Sequence, residues 1–197
     1  MYNVGIFLFH DVELLDFAGP HEVFSVTSEL NNYELMNVFT VSEEGTRIRT
    51  VNKLMVLPDY SFENHPSIDI LVIPGGVGTK AEINNSLTLS WIKKASLTSK
   101  ITMSVCSGAR ILGKLGLLDN LESITHHEVI EDLSSIAPNT KIASGKRYVD
   151  NGSIMTSGGI SAGIDLSLHV VEKLFGKEIS YKTAAYMEYG EWKTLPE

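Results

Sequence analysis

The chain has 197 residues, 43% apolar and 20% charged, with a net charge of −8, which suits one domain, residues 1–197, around a sizeable core. Its cations are scattered, the densest spots being the pairs Lys93-Lys94 and Lys146-Arg147, which argues against nucleic acid or an anionic membrane surface as partner. One cysteine excludes an internal disulfide and a cysteine-rich zinc site and suits a reducing, cytoplasmic setting.

The opening MYNVGIFLFH has no cationic lead-in and no small-residue cleavage site, so Val4–Phe9 reads as a buried strand rather than a signal peptide. No apolar run approaches the roughly 20 residues of a membrane span. A helix is predicted from Gly19-Pro20, since proline suits a first helical turn, to about Leu30. Leu35–Val41 is a second strand and Lys53–Leu57 a weaker one. Ile70–Ile73 is a strand stopped by Pro74-Gly75-Gly76. A helix over Leu87–Ser99 precedes the strand Ile101–Val105, which runs straight into Cys106 and a helix over Ser107–Leu115. His127–Ile136 reads as helical. Tyr148–Asp150 and Ser153–Ser157 flank Asn151-Gly152, a two-residue hairpin signal. Ser161–Phe175 is a long apolar helix with Ser161 as N-cap and Gly176 just past its end. A last helix covers Glu178–Met187. Strands alternating with helices imply an α/β fold with a mostly parallel sheet covered on both faces. In such sheets the working site lies at the carboxyl ends of the strands, where Pro74-Gly75-Gly76 and Cys106 both fall.

Val105-Cys106-Ser107-Gly108-Ala109 carries the strongest chemical signal. A β-branched strand ends in a nucleophile, and small residues open the next helix, as in a nucleophile elbow with Cys in place of Ser. The sulfur then sits at a helix start, where free N–H groups favour thiolate. The competing reading is an inert buried cysteine. The glycines after the other strand let backbone amides approach a ligand. An amide of Gly75 or Gly76, with that of Ser107, is expected to form an oxyanion-type hole.

Leu14-Leu15-Asp16-Phe17-Ala18-Gly19-Pro20, Ile73-Pro74-Gly75-Gly76 and Val105-Cys106-Ser107-Gly108-Ala109 together resemble the ThiJ/PfpI superfamily. So do Thr156-Ser157-Gly158-Gly159-Ile160-Ser161-Ala162-Gly163-Ile164-Asp165 and Met187-Glu188-Tyr189. The resemblance spans about Val4 to Tyr189. It implies the flavodoxin-like fold of class I glutamine amidotransferases. The Leu-Asp-Phe-Ala-Gly-Pro segment and the Ser-Ala-Gly-Ile-Asp tail are most similar to the isonitrile hydratase branch, which adds water to R–N≡C to give an N-substituted formamide. By resemblance, Cys106 is the nucleophile, Asp16 the acidic residue facing it, and Ser107 stands where isonitrile hydratases usually carry Thr; Ser107 is expected to join them in catalysis by orienting the water or the substrate nitrogen. His126 matches a histidine near the pocket, within a Thr-Thr-His-Trp segment that here reads Ile124-Thr125-His126-His127. Gly159 is expected beside the pocket with Gly75, Gly76 and His126. PfpI-type proteases carry His directly after the cysteine, where this chain has Ser107.

The resemblance implies no cofactor, no metal, a small-molecule substrate and a homodimer to which the Ser161–Phe175 helix contributes. Asp165 is expected to complement its helix dipole. The alternatives are a ligand or redox sensor related to AraC-type regulators, or a glyoxalase, deglycase or amidase, branches that usually place Glu opposite the thiol. Those regulators append a helix-turn-helix domain of about 100 residues. This sequence stops eight residues past Tyr189, so DNA binding by that route is not expected.

Overall fold

The structure, a computed structural model, describes residues 1–191. Its first half comprises β1 (Tyr2–Phe7), α1 (Leu14–Glu29), β2 (Met36–Ser42), β3 (Ile48–Arg49), β4 (Met55–Val56), β5 (Tyr60–Ser61), β6 (Ile70–Ile73), α2 (Thr79–Glu82) and α3 (Ser86–Thr98). There follow β7 (Ile101–Val105), α4 (Ala109–Lys114), β8 (Glu122–Ser123), α5 (Ile130–Ile136), β9 (Lys141–Ile142), β10 (Tyr148–Asp150), β11 (Ile154–Ser157), α6 (Ala162–Phe175) and α7 (Lys177–Tyr186). Seven strands form the main sheet in the order β10-β11-β7-β6-β1-β2-β5. All its pairings are parallel except that of the edge strand β10 with β11. The central strands are buried along their length: every position of Ile70–Ile73 and Ile101–Val105 is buried, Thr102 and Ser104 included, as strands covered on both faces must be. Helices α1, α6 and α7 pack together, and α4 packs against α2 and α5. The mostly parallel, helix-flanked α/β architecture expected from the sequence is the one observed.

Several boundaries differ. Helix α1 starts at Leu14, so Pro20 lies inside it rather than at its first turn. Proline cannot donate to the carbonyl four residues back. The early start is anchored from outside the helix, by Glu13 N–H on Gly75 O at 2.9 Å and Leu14 N–H on Asn52 Oδ1 at 3.4 Å. This puts Asp16 in the first helical turn. Strand β1 ends at Phe7, although Leu8 continues its direction and donates to Val41 O at 2.7 Å. The Lys53–Leu57 segment contributes only Met55–Val56, paired with Ile48–Arg49 outside the main sheet. The β10–β11 hairpin closes one residue later than expected. Asn151 N–H donates to Ile154 O at 3.0 Å, so Gly152, with φ of 91°, and Ser153 form the turn.

Ser161 makes no side-chain cap to α6. Its hydroxyl accepts from Arg147 Nη2 at 3.1 Å instead. Asp165 likewise does more than face a helix dipole: Arg147 Nε donates to its Oδ2 at 2.7 Å and Tyr189 Oη to its Oδ1 at 3.0 Å. Helix α6 is packed between α1 and α7, with Leu166, Val170 and Val171 buried within the chain. Among the described residues no helix is long and apolar enough to cross a membrane.

Candidate active site

The carboxyl ends of β1, β6, β7 and β11 lie side by side, and the loops leaving them meet at Cys106. Cys106 has a φ of 56°, in the left-handed region that costs a non-glycine residue on the order of 1–3 kcal/mol. Two bonds hold it there. Its N–H donates to Gly158 O at 3.1 Å, and its carbonyl accepts from Thr125 Oγ1 at 2.7 Å. A single 3-10 turn, Cys106–Gly108, leads into α4. Gly108 has to be glycine because a Cβ there would strike the Ile73 and Pro74 carbonyls. This is the elbow that the sequence implied.

Asp16 is fully buried. Its Oδ2 accepts from Gly75 N–H at 3.0 Å. Its Oδ1 has no partner of regular hydrogen-bond geometry among the described residues. The carboxyl faces the Cys106 thiol, and each group shifts the other's ionisation. Burial pushes Asp16 up to about 7, against the lowering effects of the Gly75 amide and the thiol contact. Burial also pushes Cys106 up to about 12, with the Asp16 charge as second cause, while the N–H groups of Ser107 and Ile160 on the sulfur pull the other way. The expected resting thiolate is therefore not favoured. A short turn with two amides does not outweigh burial beside a carboxyl. The pair holds its last proton on sulfur and gives up its first from Asp16 near neutrality.

The expected oxyanion hole is not formed by the glycine loop. Gly75 N–H is spent on Asp16, and Gly76 N–H donates to Ser107 Oγ at 2.9 Å. The Ser107 hydroxyl in turn donates to Gly76 O at 3.1 Å, so it staples the glycine loop to the elbow instead of pointing at a ligand. The amides that reach the sulfur belong to Ser107 and Ile160. Ile160 has a φ of 51° and follows Gly158-Gly159, a run read from the sequence only as close packing. Gly75 is required in its own right, since a Cβ there would lie 2.7 Å from Asp16 Oδ2 and 2.6 Å from Ser107 N.

A cleft of about 450 Å³ opens over the sulfur, lined among others by Glu13, Gly76, Lys80, Arg110, His126 and Ile160. Cys106, though only 7% exposed, is thus reachable and not sealed in hydrocarbon. His126 lines this cleft. Its Nδ1 accepts from Glu128 N–H at 3.2 Å, and its ring lies against that of His127, with centroids 4.3 Å apart. Gly159 sits under that ring, where a Cβ would collide with the imidazole. Thr125 and Arg110 were not singled out from the sequence. Thr125 stands beside His126, and Arg110 is one turn beyond Cys106, a buried charge on a mostly apolar helix. Among the described residues no group of three or more His, Cys, Asp or Glu side chains is placed to hold a metal ion.

The DJ-1/PfpI family profile matches residues 2–173. The chain belongs to the DJ-1/PfpI family. Among curated relatives it is 28% identical over 190 residues to an isonitrile hydratase from Pseudomonas putida, covering 95% of this chain and 78% of that protein. It is 24% identical over 178 residues to the HTH-type transcriptional regulator GbdR of Pseudomonas aeruginosa, covering 90% of this chain but 48% of the regulator. Among solved structures, a ThiJ/PfpI family protein from Pseudomonas syringae superposes with a TM-score of 0.86 at 24% identity, over 95% of this chain and 75% of that one. Drosophila melanogaster DJ-1beta does so with a TM-score of 0.82 at 19% identity, over 96% and 98%. These likenesses show the fold; the family also holds both an enzyme and regulators.

Proposed function

We propose that the chain is a cysteine-dependent hydro-lyase that hydrates isonitriles to N-substituted formamides. The observation that carries the reading is the buried Asp16 carboxyl facing the Cys106 thiol at the floor of an open cleft. The isonitrile hydratase relative adds to it. A carboxyl that titrates near 7 passes protons both ways at neutral pH.

Asp16 takes the thiol proton as sulfur bonds to the terminal isonitrile carbon, and returns it to that carbon, giving R–N=CH–S–Cys106. The Ser107 and Ile160 amides favour negative charge as it develops on sulfur. Water then adds to the same carbon. Asp16 takes one of its protons and passes it to nitrogen. The C–S bond breaks, the hydroxyl proton goes to sulfur, and R–NH–CHO leaves. One water is consumed and the thiol is regenerated.

Ser107 acts by fixing Gly76, and His126 by closing one wall of the cleft. The substrate is a small molecule that enters this cleft, and the working protein is a homodimer in the cytoplasm. The test follows loss of the isonitrile infrared stretch and formamide release over a panel of alkyl and aryl isonitriles. Cys106→Ala is expected to abolish turnover and Asp16→Asn to lower kcat by about 100-fold or more. Unchanged turnover in either variant ends this mechanism. Tight binding of an isonitrile or other small ligand by wild type, without turnover, supports instead the ligand-sensing role that the regulator relatives suggest.

A further inference from the structure

The cleft over Cys106 holds a buried charged group that this chemistry leaves idle. Arg110 stands four residues beyond the nucleophile on α4, lines the same cleft and is only 6% exposed. A guanidinium stays charged in proteins and carries five N–H donors in a fixed fork. Burying that charge without partners is costly. Here Nε donates to Asp132 Oδ2 at 2.5 Å and Nη1 to Thr79 Oγ1 at 3.0 Å. Among the described residues these are its only hydrogen bonds, so Nη2 and one Nη1 hydrogen have no protein acceptor. Asp132 compensates incompletely, since its side chain is 44% exposed and water weakens its pull.

The two bonds also fix the guanidinium in place. Thr79 Oγ1 donates onward to Gly76 O at 2.8 Å, which ties the guanidinium to the loop beside the elbow. Lys80 adds a second cation to the cleft wall. The carboxylates of the cleft are Glu13 and Glu128, and Glu128 is largely in solvent. A fixed, buried guanidinium with spare parallel donors matches a planar anion that accepts two hydrogen bonds. Arg110 and Cys106 line the same cleft, so an anion held by the guanidinium shares that space with the sulfur.

We propose that Arg110 is a carboxylate-binding residue of this cleft. Resting on the hydration reading above, the substrate is then an isonitrile that carries a carboxylate a few bonds from its reacting carbon.

Two readouts test the site without isonitrile turnover. Millimolar propionate, but not propionamide, raises the thermal midpoint of the wild-type protein. Alkylation of Cys106, followed by intact mass, compares iodoacetate with iodoacetamide. Their rate ratio falls about tenfold in Arg110→Gln and recovers in part in Arg110→Lys. In turnover, the preference for a carboxylated isonitrile such as isocyanopropanoate over its methyl ester, read as a ratio of specificity constants, falls by a similar factor in Arg110→Gln. If wild type does not distinguish propionate from propionamide, the assignment is overturned; this comparison needs no variant to fold. If carboxylate selectivity is found while no isonitrile is consumed, the Arg110 site stands and the hydration reading falls.

Discussion

Asp16 and Asp150 carry the same side chain, and the fold moves their ionisation in opposite directions. Burial tends to raise both. At Asp150, on the edge strand β10, hydrogen bonds from His169, Lys173 and the Gly152 amide overcome it and hold the carboxyl at about 2. His169 Nε2 and Lys173 Nζ each lie 2.8 Å from its Oδ2. At Asp16 no cation arrives, and one amide does not offset burial beside a thiol. One carboxyl fastens β10 to α6, whereas the other is left able to move a proton. Proximity to a partner is common to both, so the charge of that partner decides between anchor and acid–base group.

The two should separate under a pH titration of stability. A raised carboxyl contributes stability that is present below the unfolded value of about 4 and lost as pH climbs through the folded value. For Asp16 the loss runs from about pH 4 to beyond 7 and amounts to as much as about 4 kcal/mol. Asp16→Asn keeps an acceptor for Gly75 N–H, and urea unfolding is expected to show it more stable than wild type at pH 8 and no better at pH 4. Equal pH dependence of the two proteins would mean that Asp16 ionises normally.

Asp150→Asn should act with the other sign and less strongly. A lowered carboxyl contributes stability present above about pH 4 and lost as pH falls through 2. Allowing for its partial exposure, the variant is expected to lose about 1–2 kcal/mol at pH 7 and only a few tenths at pH 2. A loss that persists undiminished at pH 2 would point to packing rather than charge. The smallest effect is expected from Ser107→Ala, about 1 kcal/mol from the lost staple to Gly76. That loss should be flat between pH 5 and 8 because a hydroxyl does not titrate there. Ser107→Thr should restore it, and a pH-dependent loss would show that Ser107 acts through the thiol pair.

The alternation of apolar runs with helical patterns made the sheet legible, because strands covered on both faces leave a mostly apolar trace, broken in β7 only by Thr102 and Ser104. The elbow was legible for a similar reason: small residues after a strand-end cysteine announce a tight turn. Asp16 came from resemblance, since nothing local marks a carboxylate that becomes buried. The start of α1 was misplaced because its anchors, Gly75 O and Asn52 Oδ1, are remote in sequence. Of the two-residue strands only β4 was legible, within Lys53–Leu57; β3, β5, β8 and β9 went unseen because they lack length for a period. The amide roles were misassigned because glycine content tells where backbone can approach, not which N–H is already engaged. The thiolate expectation failed because a helix start is visible in sequence and depth of burial is not.

The only thiol of this chain lies at the bottom of a cleft and never at its rim. Two copies therefore have no route to an intermolecular disulfide without opening the fold, and no second thiol within the chain can close one. Oxidising stress is thus expected to leave small adducts on a monomer-sized band in a non-reducing gel, with no covalent ladder above it.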